Sequence, residues 1–161
     1  MSRIPALGPR GEGWVALQFL LVGAVGLAGL VFSAPGPDAW TSIGTVAGSV
    51  LILAAAALGL AGMSSLQAGG ALTAVPLPRD TSRLVDSGAY GLVRHPIYGA
   101  LILGAVGWAL LRGSPAALLA AAALFVVLDL KRRREELWLL ERYPDYAEYR
   151  TRTRRFIPWI W

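Results

Sequence analysis

The sequence predicts an all-α integral membrane protein with about four transmembrane helices, the last two a helical hairpin, and a cytoplasmic helical extension at the C-terminus. Three observations predict it. Apolar residues make up 55% of the 161 residues and the mean hydropathy is +0.54. A soluble domain holds about 45–50% apolar residues even with glycine counted. Two uncharged runs reach the length of about 20 residues that a bilayer crossing needs. The basic residues are segregated along the chain in the way a membrane topology requires.

The first span runs from Trp14 to Phe32, nineteen residues without a charge. Its apolar stretch exceeds the 7–15 residues of a signal peptide, and a cut after Ala34 would put Phe32 at the −3 position, so it reads as an uncleaved anchor. The second span, Ser42 to Met63, is an uncharged run of twenty-two. A loop at 64–96 follows. Two shorter apolar runs, Ile97 to Leu111 and Ala116 to Leu128, flank Arg112-Gly113-Ser114-Pro115, a sequence suited to a tight turn. They read as a helical hairpin over 97–130, with a shallow re-entrant hairpin as the alternative.

Orientation follows from the charges. With the N-terminus inside, fourteen of the fifteen basic residues fall on the cytoplasmic side, nine of them in the 131–161 tail. Both termini are then cytoplasmic. The tail keeps apolar residues at Leu137, Leu140 and Tyr143, a spacing that suits a helix continuing out of the fourth span. Pro144 bends or ends it. The closing aromatic segment, Phe156 to Trp161, suits the headgroup level of a membrane. The whole chain reads as one membrane domain.

Composition also excludes. With no cysteine, there is no disulfide, thiolate metal site or cysteine nucleophile. A single histidine, His95, rules out a multi-histidine metal site within one chain. The net charge of +5 would raise nucleic acid as a partner of a soluble protein, but here its placement is that of positive-inside charge. Fourteen of the fifteen basic residues are arginine, and with abundant Ala and Gly this points to a GC-rich bacterial genome.

Polar residues gather in two places. Ser87 to Tyr98 holds Tyr90, Arg94, His95 and Tyr98. Pro96 suits the first turn of a helix, which puts His95 at its cap and the positive end of the helix dipole beside it. The second cluster is Lys131-Arg132-Arg133-Arg134-Glu135-Glu136. His95 precedes Arg112 by seventeen residues and Glu135 follows Pro115 by twenty, a difference in height of about 5 Å in an antiparallel hairpin. The spacing therefore brings His95, Tyr98 and the glutamates to one membrane face. Blander readings stand beside this one: a polar helix start, ordinary interfacial charge, and a solvated face with i,i+3 and i,i+4 pairs. Asp129 reaches the interface beside Lys131 and receives no role.

Leu84-Val85-x-Ser87-Gly88-x-Tyr90, Arg94-His95-Pro96-x-Tyr98, the hydrophobic stretch ending in Glu135-Glu136, Tyr146-x-x-Tyr149 and Ile157-Pro158 together resemble the isoprenylcysteine carboxyl methyltransferases and the related bacterial phospholipid methyltransferases. The resemblance covers residues 76–158. It implies a methyltransferase that takes S-adenosyl-L-methionine from the cytoplasmic side. By position it implies donor contacts from Leu84, Val85, Tyr90, His95, Pro96, Tyr98 and one or both of Glu135 and Glu136. A basic residue four positions before the donor-binding glutamate contacts substrate in that family; here it is Lys131, with Arg134 as the substitute. The implied acceptor is a lipophilic small molecule or lipid, carboxylate or amine, at a bacterial cell membrane. An NADPH-dependent reductase of the sterol-reductase type and a non-catalytic scaffold with the same fold are the alternatives. A transporter is disfavoured, since Gln18 is the only mid-span polar residue besides Ser and Thr.

Overall fold

The computed structural model describes residues 4–33, 38–70 and 84–158. Five α-helices and one short 3-10 turn make up its regular structure: α1 (Glu12–Val31), α2 (Asp38–Ala68), the turn Gly88–Gly91, α3 (Pro96–Leu111), α4 (Pro115–Arg142) and α5 (Tyr146–Arg152). There is no strand element among the described residues, and the one bridge joins Val93 to Arg154.

Two helices, Glu12–Val31 and the Thr41–Ala68 part of α2, are long and apolar enough to cross a membrane. Their outward faces are greasy: Phe19, Leu27, Leu53 and Leu60 are each more than 60% exposed. Leu119 on α4 is 74% exposed. Soluble monomers rarely display apolar patches of this extent, and lipid is the solvent that accepts them.

α2 packs on α3 along small residues. A Cβ placed on Gly48 would lie 2.6 Å from the Gly107 carbonyl oxygen, and one on Gly107 would lie 2.9 Å from that of Gly48. Only glycine lets the two backbones approach this closely. α1 packs against α4 and α3 around Val25, Ala105, Ala121, Leu124 and Leu128.

The α3–α4 turn follows the expected chemistry. Gly113 takes the left-handed conformation at φ 54°. The Ser114 hydroxyl accepts from the Ala117 N–H at 3.2 Å, and Pro115 fills the first helical position. Arg112 Nε donates to the Gly29 carbonyl at 3.0 Å and the Ser114 hydroxyl to that of Ala28 at 3.1 Å. These bonds to carbonyls of the last turn of α1 pin the α3–α4 turn to it.

α4 is continuous over 28 residues, about 42 Å at 1.5 Å per residue, so its charged half extends well beyond its apolar half. It stops at Tyr143, one residue before Pro144, as a proline demands. After α5 the chain turns back as a strap. The Arg94 and His95 N–H groups donate to the Arg154 and Arg155 carbonyls at 2.8 and 3.0 Å, and the Arg154 N–H to Leu92 at 3.1 Å.

This strap corrects one expectation. Phe156 does not lie out at a headgroup level: it is 1% exposed, its ring meets Phe125 and His95, and its carbonyl abuts Gly99. Backbone pairing with 92–95 draws the segment inward. Trp159 to Trp161 lie outside the described residues.

A candidate membrane-face site built on a buried ion network

His95 caps α3 with its backbone, not its side chain, because Pro96 supplies the pre-set first turn. Its ring is thereby free for other partners. α4 comes alongside with Asp129, Lys131, Arg132, Glu135 and Glu136 on or beside the face that meets α3. The ring of His95 sits between the two glutamates: Nε2 is 3.2 Å from Glu136 Oε1 and Nδ1 is 3.7 Å from Glu135 Oε2. The height match between the two clusters is realised in side-chain contact.

The two glutamates do different things. Glu136 is 4% exposed and saturated. Arg94 Nε lies 3.0 Å from Oε1, Arg132 Nη1 3.2 Å from Oε2 and Arg150 Nε 3.7 Å from Oε2. Burial alone would raise this carboxyl, but hydrogen bonds from His95 and Arg94 and the charge of Arg132 hold it far below the usual carboxylate range. Arg94 is itself tied down, donating through Nη1 to the carbonyl of Arg150 at 3.1 Å and to the hydroxyl of Thr153 at 3.4 Å. Glu135 has few partners by comparison. The Tyr98 hydroxyl donates to it at 2.6 Å, and 22% of its side chain remains open. Glu136 is the closed anchor and Glu135 the more open of the two.

Lys131, one turn before Glu135, is 2% exposed. Its ammonium donates to Gln18 Oε1 of α1 at 2.7 Å and lies 4.9 Å from the Tyr98 ring centre. Burial pushes this amine down, against the upward pull of Glu135. Tyr98 in turn stacks on His95, centroids 5.2 Å apart and planes 10° off parallel. Arg134 is turned away from this group, its guanidinium 4.6 Å from the Trp138 ring.

Three tyrosines lie on the side of the C-terminal segment. The Tyr149 hydroxyl donates to the Tyr90 carbonyl at 2.7 Å. Tyr90 and Tyr146 are both pushed up by burial, with the Glu135 carboxylate adding to each and Glu136 to Tyr146. The Tyr146 hydroxyl is buried without a hydrogen-bond partner. Leu84 and Val85 line a separate cleft of about 940 Å³ against Ser64, Ser65 and Gly69 at the end of α2.

Sequence reasoning overlooked several members. Asp129 accepts from Arg132 at 2.7 Å and from Arg133 at 2.7 Å. An ionisable residue at the end of an apolar stretch was the available signal. Gln18 was visible as the lone mid-span amide. Arg94 stood inside the motif, but nothing in its position showed that it would reach Glu136. Among the described residues, no group of three or more His, Asp or Glu side chains is placed to hold a metal.

The lipid-facing helices and the ion-paired site at one end define an all-helical membrane protein. The chain belongs to the phospholipid methyltransferase family, whose model matches residues 43–146. It is also similar to the cobalt-zinc-cadmium resistance protein CzcN of Cupriavidus metallidurans, with 34% identity over 103 residues, 63% of this chain and 48% of that protein. The chain thus spans about half the length of that relative.

Proposed function

We propose that the protein is an S-adenosyl-L-methionine-dependent methyltransferase that works at the cytoplasmic membrane face on a lipophilic carboxylate, amine or lipid acceptor. In this reading α1 to α4 all cross the bacterial cell membrane and both termini are cytoplasmic. The observation that carries it is the paired use of the glutamates: a buried Glu136 that holds His95, beside a half-open Glu135 bonded by Tyr98. Family membership supplies the reaction class.

The residues present fit the donor. Its amino and sulfonium groups are cationic, and Glu135 offers a carboxylate with aromatic rings nearby. The orphan Tyr146 hydroxyl, within the field of both glutamates, has a proton to give. Donor contacts are assigned to Leu84, Val85, Tyr90, His95, Pro96, Tyr98 and Glu135, with Glu136 supporting through His95. When bound, S-adenosyl-L-methionine supplies an electrophilic methyl group on sulfur.

The chain's own work is then positioning. No covalent catalyst is needed, only a nucleophile held in line and close. Lys131 is assigned to the acceptor, by a charge-assisted hydrogen bond to an anionic group. Arg134, packed on Trp138, is the weaker claimant. An amine acceptor must also lose a proton, which requires a base.

Calorimetry of S-adenosyl-L-methionine on the detergent-purified chain tests the reading. Saturable binding that is lost in His95→Ala and weakened at least about tenfold in Glu135→Gln, one charged hydrogen bond's worth, supports it. No binding by a folded wild type overturns it.

A further inference from the structure

Lys131 is an unusual cation. It is 2% exposed, yet its direct contacts are neutral: the Gln18 amide oxygen at 2.7 Å and the Tyr98 ring at 4.9 Å. The nearby Glu135 draws on its charge, but that carboxylate accepts the Tyr98 hydroxyl. No carboxylate forms an ion pair with Lys131 among the described residues. The contrast with its neighbours is sharp. Arg132 and Arg133 both pair with Asp129, and Arg94 with Glu136.

A buried charge whose direct contacts are neutral, with a carboxylate near but not paired to it, keeps much of its field. An amide oxygen satisfies one of the three ammonium donors without neutralising the ion. The remaining desolvation penalty is offset when an anion arrives. A glutamate at position 18 would have quenched the charge, and an apolar residue would have left the ammonium without its hydrogen bond. Gln18 lies on α1, outside the family-matched residues 43–146.

We propose that Gln18 is a positioning residue that fixes the Lys131 ammonium over Tyr98 and leaves its charge unquenched for an anionic group, phosphate or carboxylate, on a lipophilic ligand. That this ligand is the methyl acceptor rests on the methyltransferase reading; the anion site does not.

Lys131 is the only lysine in the chain. Labelling with ¹³C-lysine therefore gives a single Cε signal in the NMR spectrum of the full chain in a non-ionic detergent. Dodecyl phosphate, dodecanoate and neutral dodecanol are titrated in turn. The expected result is a saturable shift with one or both anionic amphiphiles and none with dodecanol. A response to dodecyl phosphate alone assigns a phospholipid-type headgroup, and a response to dodecanoate alone a carboxylate. Gln18→Leu weakens that response by at least about tenfold, the size of one charged hydrogen bond. The isosteric Gln18→Glu, which keeps the packing, weakens it too and moves the pH midpoint of the Cε signal upward. No saturable shift in the wild type, an equal shift with dodecanol, or unchanged affinity in both folded variants overturns the proposal. Donor calorimetry on the same samples separates the two readings. If the donor fails to bind while Lys131 still responds, the methyltransferase reading falls and the anion site stands.

Discussion

At the scale of single residues, adjacent glutamates divide the labour because the helix points them to different surroundings. Glu136 faces Arg94, His95 and Arg132 and is closed off, whereas Glu135 faces Tyr98 and stays partly open. Breaking a buried pair by removing one partner costs about 3–5 kcal/mol, because the other charges are left uncompensated. Glu136→Gln is expected to lower thermal stability by that order, and Glu135→Gln by much less; the ordering is read from unfolding in detergent. The pH dependence has a definite sign. The folded carboxyl of Glu136 sits below its ordinary 4.5, so its stabilising contribution is fully present above that pH and is lost as the pH falls beneath it. Between pH 6 and 3 the wild type should therefore lose melting temperature more steeply than Glu136→Gln. Parallel slopes would remove Glu136 from its place as the anchor.

At the scale of elements, the site depends on how closely α2 and α3 approach and on how α4 is started. A methyl group at Gly48 would meet the Gly107 carbonyl at 2.6 Å and the Leu111 nitrogen at 2.7 Å, both backbone atoms that cannot swing aside. Gly48→Ala should cost about 1–3 kcal/mol through overpacking, while Gly23→Ala, which meets nothing within 4 Å, should be neutral. Their melting temperatures compared side by side decide it. The Ser114 hydroxyl both caps α4 and reaches the Ala28 carbonyl. Ser114→Ala should cost about 0.5–2 kcal/mol from the cap alone, a loss visible in the same melts. An unchanged melt would mean that the α1 contact and the cap are both replaceable by solvent or lipid.

At the scale of the molecule, the depth of the site follows from whether the α3–α4 hairpin crosses the bilayer. α3 spans 16 residues, about 24 Å, somewhat short of a hydrocarbon core of about 30 Å. Its neighbours and the charged end of α4 compensate if it crosses. The chain has no cysteine, so single cysteines report without background. Pro115→Cys, an exposed position at the start of α4, and Thr151→Cys, an exposed position on α5, should react with an impermeant thiol reagent from opposite sides of oriented vesicles. Reaction of both from one side would indicate a re-entrant hairpin and put the site's depth in a different register.

The sequence by itself located four of the five helices, their order and the meeting of the two polar clusters, while α2 runs on to Ala68 and α5 forms a helix of its own. Uncharged run lengths, Pro96 and Pro115 at helix starts, Gly113 at the turn and Pro144 at a stop are local signals, and a rigid rise per residue carries His95 and Glu136 to one height. Four outcomes show what it left open. Nothing in the local pattern distinguished Glu135 from Glu136, sent Phe156 inward instead of to the interface, aimed Arg94 at Glu136, or joined Gln18 to Lys131 across 113 positions of chain. Each of these depends on the rotation of one helix against another and on which side chains are left to satisfy a buried charge. Those are properties of contacts distant in sequence, and only the assembled helices decide them.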